Sequence, residues 1–113
     1  DFFLMPSIFE PCGLNQIYSL AYGTLPIVRA VGGLKDTVID YDQNRELGNG
    51  FIFNEPSSEE LLSCLRRTLI LHLENPEEIR RIRQNAMRVR FNWKESSHKY
   101  EELYKLALNK PKW

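Results

Sequence analysis

The sequence predicts an α/β fold in which a short strand–helix–strand region leads into a long helical tail. Three observations carry this. The apolar run Phe2-Phe-Leu-Met5 opens the chain and is typical of a strand covered on both faces. Glycines and prolines then punctuate alternating helix and strand patterns as far as Gly50. From Ser57 onward, helix-capping residues precede amphipathic stretches three times over.

Taken in order, Phe2–Met5 is the first strand. Residues 14–22 form a mostly apolar helix with Leu14, Ile17, Tyr18 and Ala21 on one stripe, and Gly23 supplies a left-handed stop. Pro26 opens the next strand, Ile27-Val28, where a missing N–H is tolerated. Gly32-Gly33 turns the chain into a short helix through about Asp40. A polar loop over 41–49 and an Asn49-Gly50 turn lead to a third strand, Phe51-Ile-Phe53.

The tail begins at Ser57, which forms a capping box with Glu60. Leu61, Leu65, Leu69 and Leu73 then recur every four residues. Asn75 caps a second helix that has Pro76 at its first position, Glu77 and Glu78 in its first turn, and Ile79, Ile82, Ala86 and Val89 as its buried stripe. Asn92 with Glu95 caps a third, with Trp93, Tyr100, Leu103, Tyr104 and Ala107 near one side. No repeat, low-complexity segment or flexible linker divides the chain, so it reads as one domain.

Composition narrows the function classes. Hydrophobic content of 42% and charged content of 27% are globular values, which excludes a disordered chain. Formal net charge is zero, and although Arg66, Arg67, Arg80, Arg81, Arg83, Arg88 and Arg90 crowd two helices, Glu59, Glu60, Glu74, Glu77 and Glu78 are interleaved with them. A solvated helix face is the expected reading and a nucleic-acid surface is not. No run approaches the ~20 apolar residues of a membrane span. The two cysteines form neither a disulfide framework nor a metal site, and imply a reducing compartment. His72 and His98 lack partners at ligand spacing and are expected at the surface.

The chemistry concentrates in Met5–Gly23, MPSIFEPCGLNQIYSLAYG, and the glycine turn that follows. Glu10 would stand at the mouth of the sheet. The Cys12, Gly13, Leu14 and Asn15 amides would open a helix whose free N–H groups attract sugar oxygens or phosphate. A lone loop carboxylate is more often a solvated charge, and two glycines can equally cradle phosphate or make a tight turn. Asp36 and Asp40 are expected to be first-turn and surface charges, so the second carboxylate of a glycosidase pair is missing.

Glu10-Pro-Cys-Gly-Leu14, Gln16, Tyr22-Gly-Thr24, Gly32-Gly-Leu-x-Asp-Thr-Val38, Gly50-Phe-Ile-Phe53 and Phe91-x-Trp93 resemble the C-terminal part of bacterial glycogen synthases and plant starch synthases, retaining glucosyltransferases of the two-domain GT-B type. The resemblance covers nearly the whole chain. It implies the second half of a Rossmann-like GT-B nucleotide-binding domain, with about three parallel strands, followed by a three-helix tail. Residues 1–113 would be a single partial domain, 1–56 supplying the donor-sugar-binding part and 57–113 the helical tail.

By the same resemblance Glu10 is the catalytic carboxylate, accepting hydrogen bonds from glucose hydroxyls and stabilising positive charge at the anomeric carbon. Pro11, Cys12, Gly13, Leu14, Asn15, Tyr18, Gly32 and Gly33 would bind substrate. Tyr18 stands where many GT-B relatives carry a ribose-binding Glu, and its alternative is a place in the core. The donor is ADP-glucose or UDP-glucose and the acceptor an α-1,4-glucan; no metal or cofactor is implied. The cations that hold the donor diphosphate belong to a preceding region, together with an N-terminal domain, so the fragment by itself is expected to be inactive. The setting is the bacterial cytoplasm or the plastid stroma.

Two expectations remain beside that reading. The chain could instead be a non-catalytic binding or assembly remnant of such a transferase. The Phe2–Met5 strand, interior in the family, would here present an unpaired edge and lead to self-association.

Overall fold

The computed structural model describes residues 1–110. The elements run β1 (Phe2–Met5), α1 (Asn15–Ala21), β2 (Leu25–Arg29), α2 (Gly32–Thr37), β3 (Phe51–Phe53), α3 (Ser58–Glu74), α4 (Pro76–Arg88) and α5 (Trp93–Leu108). The expected tail extends to residue 113, and its last three residues lie outside the described ones.

The strands form one parallel sheet in the order β1-β2-β3, as the α/β reading requires. Phe2 pairs with Leu25 and Met5 with Val28, while Ile27 pairs with Phe51 and Arg29 with Phe53. This register brings Met5, Arg29 and Phe53 together at the carboxyl ends. β2 is central, and its side chains alternate between two cores. Leu25 and Ile27 join Leu20, Phe51, Phe53, Cys64, Ile79, Ile82 and Ala86 beneath α1, α3 and α4. Val28 joins Met5, Leu34 and Val38 beneath α2. Pro26 is tolerated in the central strand, although sequence rules favour edges for proline.

The caps behave as the residues dictate. Ser57 Oγ accepts from the Glu60 amide at 3.2 Å, Asn75 Oδ1 from Glu78 at 3.3 Å and Asn92 Oδ1 from Glu95 at 3.2 Å. Gly23 takes φ +71° and its N–H returns to the Leu20 carbonyl at 3.1 Å, ending α1.

Several faces differ from expectation. On α1 the buried residues are Gln16, Ser19 and Leu20, while Leu14 and Tyr18 are exposed. A two-turn helix is too short for its periodicity to define a face, and its neighbours decide instead. On α3 a strict four-residue repeat drifts about 40° around the helix at each step. Leu69 and Leu73 therefore rotate into solvent, and Cys64 and Thr68 take the core positions beside Leu61, Leu65 and Leu71. α2 stops at Thr37 because Val38 is extended, with φ −105° and ψ 130°, and Asp40 forms a bridge with Gly50. α5 has the expected amphipathic stripe yet buries none of its residues.

Candidate functional site

Parallel sheets bind ligands outside the carboxyl ends of their strands. There the loop joining β1 to α1 lies directly on the turn that opens α2. A Cβ on Gly32 would stand 1.9 Å from the Glu10 carbonyl oxygen, and one on Gly33 would stand 1.9 Å from that of Cys12. The Gly33 N–H donates to the Glu10 and Pro11 carbonyls at 3.3 and 3.2 Å. The two glycines therefore admit the loop backbone, and the Gly33 amide is already used. The turn thus serves as a bed for the loop backbone.

A second set of donors holds the rest of the loop. Gln16 Nε2 donates to the Cys12 carbonyl at 3.1 Å and the Gly13 carbonyl at 2.9 Å. The carbonyls of Glu10, Pro11, Cys12 and Gly13 thus all turn inward. Among the described residues every peptide bond is trans, and across a trans peptide the N–H points opposite to the C=O. The Cys12, Gly13 and Leu14 amides accordingly point away from these inner donors. Three successive N–H groups so directed, two to four residues after Glu10, can hold hydroxyl or phosphate oxygens. Gly13 makes the turn at φ +68°, and a Cβ there would stand 2.5 Å from Gln16 Oε1.

The expected site residues divide into two groups. Glu10, Pro11, Cys12, Gly13 and Leu14 come together with Gly32 and Gly33 as described. Asn15 and Tyr18 line an open cavity of about 430 Å³ with Phe3, Ser19, Tyr22 and Thr24, and none of Glu10–Leu14 contributes to its wall. Tyr18 is 56% exposed in this chain. The Asn15 side chain does not cap α1; its carbonyl accepts from Ser19 Oγ at 2.8 Å.

Arg29 was missed by sequence reasoning. At the end of β2 its Nε donates to the Ser7 carbonyl at 2.8 Å, Nη2 to Ile8 at 2.6 Å and Nη1 to Asn54 at 3.3 Å. One guanidinium thereby ties the start of the Glu10 loop to the residue after β3. The available signal was a cation ending an otherwise apolar strand.

Three further expectations are corrected. Asp40 is 6% exposed, and both its oxygens accept from Arg67, at 3.2 and 3.1 Å. It is a buried ion-pair partner, drawn in because α3 crosses the sheet there. Arg67 also bonds Asp42 and the Ile52 carbonyl, so it leaves the solvated face assigned to it. His72 is half-buried, packed edge-on against Phe2 with ring centroids 5.3 Å apart, because β1 and α3 meet there. The larger cavity, about 470 Å³, lies at the opposite end of β3 against Tyr41, Arg45, Phe51 and Arg67. Arg67 is already committed to internal partners, and Arg45 stands over the Tyr41 ring.

Known proteins resemble this chain in sequence and fold. The family profile described as "Glycosyl transferases group 1" matches residues 1–89. The chain belongs to that family. It is 60% identical over 108 residues to a glycogen synthase of Aeromonas hydrophila, a match covering 96% of this chain and 22% of the relative. With a glycogen synthase of Photobacterium profundum it shares 62% over 104 residues, 92% of this chain and 20% of the relative. The chain thus spans about a fifth of the length of these curated relatives.

Among solved structures, the catalytic domain of starch synthase IV from Arabidopsis thaliana, bound to ADP and acarbose, superposes with a TM-score of 0.83 at 36% identity. That match covers 97% of this chain and 23% of the other. Sucrose-phosphate synthase from Thermosynechococcus elongatus gives a TM-score of 0.62 at 30% identity, covering 93% and 25%. Among the described residues no helix is long and apolar enough to cross a membrane.

Proposed function

We propose that this chain is the C-terminal donor-binding part of a glycogen or starch synthase. The whole enzyme transfers glucose from ADP-glucose, or UDP-glucose, to the non-reducing end of an α-1,4-glucan with retention. The observation that carries the proposal is the Glu10 loop at the carboxyl end of the sheet, whose carbonyls are held inward so that its Cys12, Gly13 and Leu14 amides point away from the inner donors. The relatives named glycogen synthase, and a similar structure bound to ADP and acarbose, support this reading. Glu10 stabilises positive charge as it develops at the anomeric carbon, and the loop amides position the sugar. Asn15, Tyr18 and the Gly32-Gly33 turn complete the substrate-binding set.

Residues 1–113 are proposed to be one partial domain, 1–56 carrying the donor-sugar part and 57–113 the helical tail. A core shared from Leu20 to Ala86 supports this. The cations for the departing diphosphate belong to the remainder of the enzyme, so the isolated chain should be inactive. Two cysteines outside any disulfide fit a cytoplasmic or plastid-stromal setting. The exposed Phe3 and Leu4 on β1, a strand at the sheet edge, support self-association of the isolated chain. A mass by light scattering corresponding to a monomer at high concentration would remove that part.

The test is a chimera in which this chain replaces the matching stretch of the Aeromonas hydrophila enzyme. Glucose incorporation from ADP-glucose into glycogen is then measured. The chimera should be active, and Glu10→Gln should lower kcat at least ~100-fold with little loss of stability. A folded but inactive chimera would favour a non-catalytic remnant. Near-parental kcat in Glu10→Gln would return Glu10 to an ordinary solvated charge.

A further inference from the structure

We propose that Gln16 is a positioning residue for the Glu10 loop, acting through loop carbonyls on one side and through Thr37 on the other. The inference rests on the reading of that loop as the donor-sugar site. Gln16 is fully buried, in a position where an apolar side chain of the same shape would pack without desolvating an amide. Its oxygen, Oε1, is buried without a hydrogen-bond partner, so packing alone makes glutamine the poorer choice. What the carboxamide supplies is its nitrogen.

That nitrogen faces three acceptors: the Cys12 carbonyl at 3.1 Å, the Gly13 carbonyl at 2.9 Å and Thr37 Oγ1 at 3.2 Å. The opposite amide orientation would aim an oxygen at two carbonyl oxygens, so the acceptors fix which way it points. Thr37 Oγ1 spends its proton on the Gly33 carbonyl at 2.6 Å. The Gly33 N–H returns to the Glu10 and Pro11 carbonyls. A closed circuit therefore runs from the loop to α1, to α2 and back to the loop. Its effect is to hold four carbonyls inside, which keeps the three successive amides outside and fixes the backbone that carries Glu10. Gly13 fits the same arrangement, since Oε1 occupies the place its Cβ would need.

The experiment uses the active chimera with Gln16→Met, Thr37→Val and Thr37→Ser, each also combined with Glu10→Gln. Methionine keeps the shape and removes the donors. It should lower kcat about 10- to 100-fold, the scale of a small misplacement of reacting groups. Thr37→Val should also lower kcat, and Thr37→Ser, which keeps the hydroxyl, should restore it. In the Glu10→Gln background Gln16→Met should cost no more than ~3-fold, because residues acting as one unit are not additive.

Parental kcat in Gln16→Met overturns the proposal, as does a loss that multiplies in full with that of Glu10→Gln. Should Gln16→Met fail to fold, the Thr37 pair decides: Val and Ser behaving alike overturns it. A crippled Glu10→Gln beside an unaffected Gln16→Met removes the positioning role alone. An unaffected Glu10→Gln removes the donor-site reading and the positioning role with it.

Discussion

Gly33 lies so close beneath Cys12 that a Cβ on it would stand 1.9 Å from the Cys12 carbonyl oxygen. The neighbour is backbone, which cannot rotate aside as a side chain can. Gly33→Ala should therefore destabilise the chain by about 1–3 kcal/mol, the usual cost of forcing extra volume into a packed site. It should also weaken the Gly33 bonds to Glu10 and Pro11. Urea unfolding measures the first effect. An alanine variant as stable as the parent would show that the loop does not rest on this turn.

Arg29 makes a different demand. Its fork reaches carbonyls on two segments, and a lysine ammonium of equal charge cannot span all three. Arg29→Lys should cost about 1–2 kcal/mol and make the 6–14 loop more open to proteolysis. Limited digestion with mass mapping reads the cleavage sites, and unchanged cleavage would count against the clamp.

Tyr41 donates to Glu78 Oε2 at 2.8 Å, joining the loop after Asp40 to α4. Burial first, and then the bond to Glu78, raise the Tyr41 pKa. The bond from Tyr41 is the main cause that lowers that of Glu78. The raised tyrosine contributes stability that is complete below its unfolded pKa of about 10 and is lost as pH climbs through the folded value. The lowered glutamate contributes stability present above its unfolded pKa of about 4.3 and lost as pH falls through the folded value. Unfolding free energy should thus decline on both the acid and the alkaline side, and Tyr41→Phe should flatten the alkaline decline. An unchanged alkaline slope in that variant would reject the assignment.

The Asp40–Arg67 pair invites a harsher substitution. Asp40→Ala leaves a half-buried guanidinium with Asp42 and one carbonyl. The loss should be about 2–3 kcal/mol, discounted from a fully buried pair because Arg67 keeps some solvent contact. Chemical denaturation at low and high salt should give nearly the same difference, and a difference abolished by salt would mean the pair behaves as a surface one.

What the sequence reveals here is whatever its local chemistry decides. The caps at Ser57, Asn75 and Asn92 depend on residues three positions apart, and Gly23 on its own φ. The apolar run Phe2–Met5 needs no partner to be recognised. The Glu10 motif was legible as a cluster of residue types, but the way it is held was not. Gln16 is buried because carbonyls of its own loop and Thr37, 21 residues on, surround it. Asp40 is buried because Arg67 arrives from 27 residues away. Arg29 joins carbonyls 21 and 25 residues distant. Such contacts depend on the sheet register, which no local spacing announces.

The unpacked α5 governs how the molecule moves through solvent. The principal extents are 58 × 29 × 22 Å and the radius of gyration is 16.7 Å, against about 13 Å for a compact chain of this length. A single molecule of such shape meets more friction than a sphere of its 13.3 kDa mass. On a sizing column it elutes early and imitates a larger species. Elution volume therefore overstates the mass of the isolated chain, whereas sedimentation combined with scattering separates elongation from pairing.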